Sequence, residues 1–534
     1  MRPLLLLLFI SSFGYAQTDN KILKDIKKSV SYLADDKLEG RRTGMPGEKL
    51  AYKFIIQKLK KNGIETASGL SGYIQDFEVN DGLVIGQTTS LTLSNKTFSI
   101  NGDFIPMPYS PNGKTDAWGK YILFYDIHSL IADNKDNPHF DFEEELYQKL
   151  KSATEIQPQS LLIIFNSSDT AISYVFDAKN KKKTLLKQVI YCNNKTVEIL
   201  RTNSSEQSPV KLTIDINTSI RTGHNVIGMI NNNAPLTVIL GAHYDHLGYG
   251  EDHNSLYVGK EKMIHNGADD NASGTAALIA LSSILKKSGS KKYNYVFVAF
   301  SGEELGLYGS KYFVEHSPID FKNVNYMVNM DMVGRLNDST HGLTIGGYGT
   351  SPTWGQIINT NDEYFKIKFD SAGSGPSDHT SFYRKDLPVL FFFTGTHSDY
   401  HKPSDDADKI NYEGELKIIR YIQSLIEKTA SLDKISFTKT REAAAMGKSS
   451  FKVTMGIMPD YTFSDNGVKV DGVSENRPAQ KAGVKTGDVI YQLGDFMVSD
   501  VETYMQALNK FKKGDTTTVK IKRGTEDIKV EVTF

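Results

Sequence analysis

The chain has 534 residues, 39% of them hydrophobic, with 62 Lys and Arg against 63 Asp and Glu for a formal net charge of -1. That length suffices for more than one core and for about three domains, and the even charge balance argues against nucleic acid as a dominant partner. The lone cysteine, Cys192, excludes an internal disulfide, so packing and bound metal must hold the fold, and Cys192 itself reads as a buried small hydrophobe.

Met1-Arg2-Pro3, the apolar run Leu4 to Ile10 and a small-residue exit through Gly14 and Ala16 have the layout of a secretory signal cleaved after Ala16. This predicts export to a periplasmic or extracellular space. No later segment approaches the roughly 20 apolar residues of a membrane span, so no transmembrane anchor is expected. From Asp19 to Leu59 the apolar residues recur at helical spacing, as in Leu23, Ile26, Val30 and Leu33, then Tyr52, Ile55, Ile56 and Leu59, which predicts two helices joined by a loop over 40–47. From Phe77 to Asn217 short runs such as Leu91-Thr92-Leu93, Tyr121-Ile122-Leu123-Phe124 and Leu161 to Phe165 predict an inserted β-rich domain. That stretch contains no ligand cluster. From Asn225 to Leu432 strands such as Val238-Ile239-Leu240, Tyr295 to Phe300 and Pro388 to Phe393 alternate with helical patterns such as Thr275 to Lys286. The alternation predicts an α/β fold with a mostly parallel central sheet and helices on both faces. A polar segment over 434–450 then leads to a last unit.

Five short motifs stand in order within the α/β region. They are Ala242-His243-Tyr244-Asp245-His246, Gly267-Ala268-Asp269-Asp270-Asn271, Ser301-Gly302-Glu303-Glu304-Leu305, Asn329-Met330-Asp331-Met332 and Asp399-Tyr400-His401-Lys402-Pro403. Several follow apolar runs, so their polar groups fall where buried strands end and where α/β sheets bind ligands. His243, Asp270, Glu304, Asp331 and His401 supply two imidazoles and three carboxylates, the donors that zinc accepts. Five donors exceed the need of one tetrahedral ion with an open position. Two ions sharing one carboxylate would use them all.

With these motifs the chain resembles the co-catalytic di-zinc aminopeptidase family, whose wider relatives include glutamate carboxypeptidase II, transferrin receptor and glutaminyl cyclase. Ser377-Asp378-His379-Thr380-Ser381-Phe382 belongs to the same resemblance. It implies a fold of the zinc exopeptidase type and two Zn²⁺ ions per chain, with Mn²⁺ or Co²⁺ as chemically acceptable substitutes. It further implies that Asp270 bridges the ions, with Asp269 outside the ligand set. His243 and Asp331 would hold one ion, Glu304 and His401 the other. Glu303 would be the general base acting on a bridging water, and Asp245 the carboxylate that orients His243. His246, His253, His265 and His397 fall off the family's ligand positions. Asp405 and Asp406 are candidates to brace the His401 loop, and His379 is a candidate substrate contact. Leu33 to Gly44 resembles the family's entry helix and loop, although its charges alone suggest a solvated loop.

Residues 81–218 resemble, by position and β texture, the protease-associated domain inserted in many relatives. Val468 to Val473, Pro478-Ala479, Ala482-Gly483-Val484 and Gly487-Asp488-Val489-Ile490 resemble a PDZ domain, a small α+β fold, with Met455 to Met458 at its peptide-binding loop. The expected division is a signal peptide over 1–16, the first part of the peptidase domain over 17–80, the insert over 81–218, the catalytic domain over 219–433, a linker over 434–450 and the PDZ-like domain over 451–534. The implied activity is release of N-terminal residues from peptides with free N-termini, with peptide C-termini or protein tails as partners of the PDZ-like domain. A glutaminyl cyclase, a carboxypeptidase of the same superfamily and an inactive binding protein on this scaffold are the alternatives.

Overall fold

The computed structural model describes residues 19–132, 142–156, 160–168, 174–178, 180, 182–252, 254–259, 261–359, 361–440, 453–459, 466–473, 477–499 and 501–534. The expected signal segment, His253 and most of the linker lie outside them. Two compact units are present, one of Met1–Val79 with Thr222–Phe534, the other of Asn80–Arg221.

The first unit opens on helix α1 (19–33) and helix α2 (Pro46–Lys61). Pro46 starts α2 where its missing N–H costs nothing, Glu48 sits in the first turn, and Lys58, Lys60 and Lys61 close the last, each matching the helix dipole. Ala51, Ile55 and Leu59 form its buried stripe. The main sheet contains β1 (Ile216–Ile230), β2 (Leu236–His243), β3 (Tyr293–Phe300), β4 (Val324–Met330), β5 (Gly342–Gly346), β6 (Lys366–Phe369) and β7 (Val389–Phe393), in the order β1-β3-β2-β4-β7-β5-β6. The four strands β3, β2, β4 and β7 are mutually parallel. The flanks are not: β1 runs antiparallel to β3, and β5 antiparallel to β7. The sheet is therefore mixed rather than parallel throughout. Only residues 231–235 separate β1 from β2, too few for a crossover, so the chain reverses there.

Every residue of β3 is buried. Tyr295, Phe297 and Ala299 face a core shared with α1, α2, α3 (Gly274–Ser288) and α4 (Tyr412–Thr429), through Ile26, Ile55, Leu278 and Ile422. Val296, Val298 and Phe300 face the other core, with Phe313 and Phe382. Helices thus cover both faces, which is why the central strands read as unbroken apolar runs.

The last part of this unit builds its own sheet from β8 (Ile457–Pro459), β9 (Val468–Val473), β10 (Val489–Leu493), β11 (Thr516–Arg523) and β12 (Glu526–Thr533), paired in that order. Met455, Val470, Ile490 and Val519 pack with Tyr504 and Leu508 of helix α5 (Val501–Leu508) in a separate core.

The second unit holds two four-stranded sheets. Lys96–Phe98, Ser90–Leu93, Val210–Ile214 and Gly113–Ala117 form one, and Phe104–Pro106, Gln188–Cys192, Leu161–Phe165 and Ile122–Asp126 the other. Helices Phe142–Thr154 and Asn194–Asn203 accompany them, the latter capped by Asn193, whose side chain accepts from Thr196 N at 2.8 Å. Cys192 is buried. Among the described residues no helix is long and apolar enough to cross a membrane.

Candidate metal centre

Because β3, β2, β4 and β7 are parallel neighbours, their C-terminal ends share one edge of the sheet, the usual place for a ligand in this fold class. His243 is the last residue of β2, Asp331 follows β4, and Glu303 and Glu304 lie just beyond β3. His401 comes from the loop after β7, with φ +53, a backbone strained for a side-chain-bearing residue. Asp270 enters from the turn preceding α3.

These side chains converge. His243 Nε2 lies 3.4 Å from both Asp270 Oδ1 and Asp331 Oδ1, and His401 Nε2 lies 3.2 Å from both Asp270 Oδ2 and Glu304 Oε2. Asp270 is common to both sets. Burial works against protonating either imidazole, yet Asp331 and Glu303 beside His243, and Glu304 and Asp270 beside His401, raise both rings well above the ordinary histidine range. Burial, with the neighbouring charge of Glu304, pushes the Glu303 carboxyl well above its ordinary range despite His243.

The donor set fits a cation. His401 Nδ1 faces the carbonyl of Asn254 at 2.8 Å and His243 Nδ1 the carbonyl of Asp245 at 3.2 Å, so each Nδ1 carries the hydrogen. That leaves Nε2 of each ring facing carboxylate oxygens. A positive charge must sit between them, whether proton or metal. His243, Asp270 and Asp331 form one donor group within 4.8 Å, and His246, Asp270 and Glu304 form another.

His246 is thus brought into the cluster, which its sequence position off the ligand pattern does not suggest. Its Nδ1 lies 2.8 Å from Glu304 Oε1, while its buried Nε2 has no hydrogen-bond partner among the described residues. The other rivals are spent elsewhere. His265 bonds Ser255 Oγ at 2.7 Å and His397 lies 3.2 Å from Asp269 Oδ2. His379 is buried and stacked on Phe391 at 4.5 Å, with its pKa lowered to about 3 by burial, so it forms wall rather than an open substrate contact.

Supporting residues hold the donors from behind. Asp245 accepts from Thr43 Oγ1 at 3.0 Å and from Glu303 N at 3.3 Å. Asp269 turns away and accepts from Gly334 N at 2.7 Å and Ser273 Oγ at 3.1 Å. Asp405 Oδ2 accepts from Asp269 N and Asp270 N, both at 3.0 Å, so it braces the Asp270 turn. Asp406 accepts from Asn266 Nδ2 at 3.0 Å.

The charged loop after α1 exposes Asp36, Lys37 and Glu39 but buries Arg41. Arg41 is fully buried and donates to four carbonyls: Leu33 O and Asn266 O at 2.6 Å, Tyr244 O at 2.7 Å and Gly267 O at 3.0 Å. Burial lowers its pKa to about 10, and Asp270 and Asp245 oppose that fall. Nothing in its spacing marks Arg41 as buried. Only the convergence of 244 and 266–267 on one point creates its site.

Residues 225–426 match the model of Peptidase family M28, and residues 436–534 that of the PDZ domain. Aminopeptidase YwaD of Bacillus subtilis is 28% identical over 281 residues, 50% of this chain and 56% of that protein. Leupeptin-inactivating enzyme 1 of Streptomyces exfoliatus is 25% identical over 281 residues, 48% of this chain and 58% of that protein. The chain spans little more than half the length of these relatives. The solved structure of BSAP, a zinc aminopeptidase from Bacillus subtilis, superposes with a TM-score of 0.45 at 17% identity, covering 78% of this chain and 95% of that one. Residues 225–426 belong to Peptidase family M28, and residues 436–534 are a PDZ domain.

Proposed function

We propose that the protein is an exported metallo-aminopeptidase that hydrolyses N-terminal residues from peptides. The observation that carries this reading is the pair of donor groups sharing Asp270, with the partly open carboxylate of Glu303 alongside, 4.0 Å from His243 Nε2. The names of the matched relatives, an aminopeptidase and a leupeptin-inactivating enzyme, support the same chemistry. His243 and Asp331 would hold one Zn²⁺, Glu304 and His401 the other, and Asp270 both. When bound, the ions would polarise a peptide carbonyl and lower the pKa of water.

The rest falls to the chain's own groups. Glu303 takes a proton from the attacking water and returns it to the leaving amine. Asp245 keeps the His243 ring oriented, assisted by Thr43. Residues 1–16 are read as the export signal, and the unit over 80–221 as a protease-associated-like insert.

The test is a set of peptides offered free and N-acetylated to the zinc-loaded protein, with products identified by mass. Cleavage of the free peptides that acetylation abolishes is expected. Equal cleavage of both forms would refute the aminopeptidase assignment.

A further inference from the structure

Among the described residues strand β8 lies at the end of the PDZ sheet and pairs only with β9. Opposite Pro459 stands Val470, which donates to Asp488 O and accepts from Gly487 N, both at 2.7 Å and both on the β10 side. The Pro459 carbonyl therefore points off the open edge of the sheet. There it accepts a hydrogen bond from Thr396 Oγ1 at 3.0 Å.

Thr396 stands at the rim of the donor cluster. Two residues before it, Thr394 donates from Oγ1 to Met332 O at 2.6 Å, next to Asp331. One residue after it, His397 lies 3.2 Å from Asp269, next to Asp270. The open strand thus ends beside the proposed catalytic centre.

The other end of β8 has the opposite charge character. It begins after Gly456, at φ +74, and a Cβ built there would meet Arg477 Cβ at 2.2 Å and Cγ at 2.5 Å. The stem of exposed Arg477 therefore lies on this glycine, which places a cation by the start of the strand.

We propose that the PDZ domain captures the C-terminal carboxylate of short peptides and presents their N-termini to the metal centre, so that the protein selects peptides by length and by a free C-terminus. A peptide adding antiparallel to β8 has its C-terminus at Gly456 and its N-terminus at Pro459. Charge selects this direction over the parallel one. It places the carboxylate by Arg477, whereas parallel addition would set the ammonium against that cation. Pro459 lacks an N–H, so the ladder ends there and the peptide leaves the strand beside Thr396. Each added residue moves the N-terminus by about 3.3 Å, which makes the span a ruler.

The inference rests on the aminopeptidase reading, and one experiment separates the two. The full chain is assayed on leucine p-nitroanilide and on leucine-initiated peptides of increasing length, each as free acid and as C-terminal amide. At one favoured length the acid should have a kcat/KM about tenfold above the amide, mostly through KM, with the preference falling for shorter and longer peptides. Arg477→Glu, at an exposed position, should remove the acid preference. Equal kcat/KM for acids and amides at every length, with the anilide cleaved, would overturn the ruler and leave the aminopeptidase. Absence of cleavage for the anilide and all peptides would overturn both.

Discussion

Arg41 crosses 203 positions of sequence to donate from Nε to the carbonyl of Tyr244, the residue between His243 and Asp245. The same guanidinium holds Asn266 and Gly267 at the foot of the Asp270 turn. One buried cation thereby fixes two of the loops that carry donors. Arg41→Met should leave its four carbonyl partners unpaired and cost about 3 kcal/mol or more of stability by urea unfolding. Arg41→Lys should recover only part, because an ammonium lacks the planar fork that serves several acceptors at once. A Met variant as stable as the parent would show that the network is dispensable.

His246 meets Glu304 Oε1 and leaves the second oxygen toward His401. His246→Ala should lower zinc affinity about 10- to 100-fold in chelator competition, with a partial return in His246→Asn. Unchanged affinity in the Ala variant would remove His246 from the site.

Glu303 differs from Glu304 in facing His243, 4.0 Å from Nε2, whereas Glu304 meets His246 and His401. Glu303→Gln should lower kcat by about 10²- to 10⁴-fold while the zinc content stays that of the parent. Full turnover in a metal-replete variant would exclude it as the base.

In the PDZ sheet Asp488 is held by Arg523 through two bonds, at 2.7 and 2.8 Å. Burial works against the charged form, but Arg523 and the Lys485 amide outweigh it and keep the carboxyl below its ordinary value of 3.8. A depressed carboxylate stabilises the fold fully above pH 3.8 and loses that contribution as pH falls through its folded value. The protection of β10 and β11 amides against exchange, taken relative to the intrinsic rate at each pH, should therefore fall as pH drops below about 4, and Asp488→Asn should flatten that dependence. An identical acid profile in the variant would dismiss the pair as a contributor.

Cys192 is fully buried, and burial pushes its thiol well above the ordinary range. A thiol reagent should leave it unmodified in the native protein and react in step with unfolding of the Asn80–Arg221 unit. Rapid labelling without denaturant would contradict this packing.

Much of the centre was legible because a strand buried on both faces must be apolar throughout, so the first polar residues after it mark the edge of the sheet. His243 after Val238-Ile239-Leu240 and Asp331 after Met327-Val328 are found that way. The flanking strands were less legible, since alternation of strands and helices reveals parallel crossovers but not the direction in which β1 and β5 join the edge. Asp405 was expected behind His401, whereas its carboxylate holds the Asp270 turn, a pairing across 135 positions that no local pattern records.

The sequence by itself determined the α/β class, the donor types at the strand ends and the PDZ segment, because periodicity and motif spacing are local properties of the chain. The tertiary structure decided the burial of Arg41, the meeting of His246 with Glu304 and the contact of Thr396 with Pro459. Each depends on which distant segments share one small volume, and that is set by packing of the whole core rather than by neighbours in sequence.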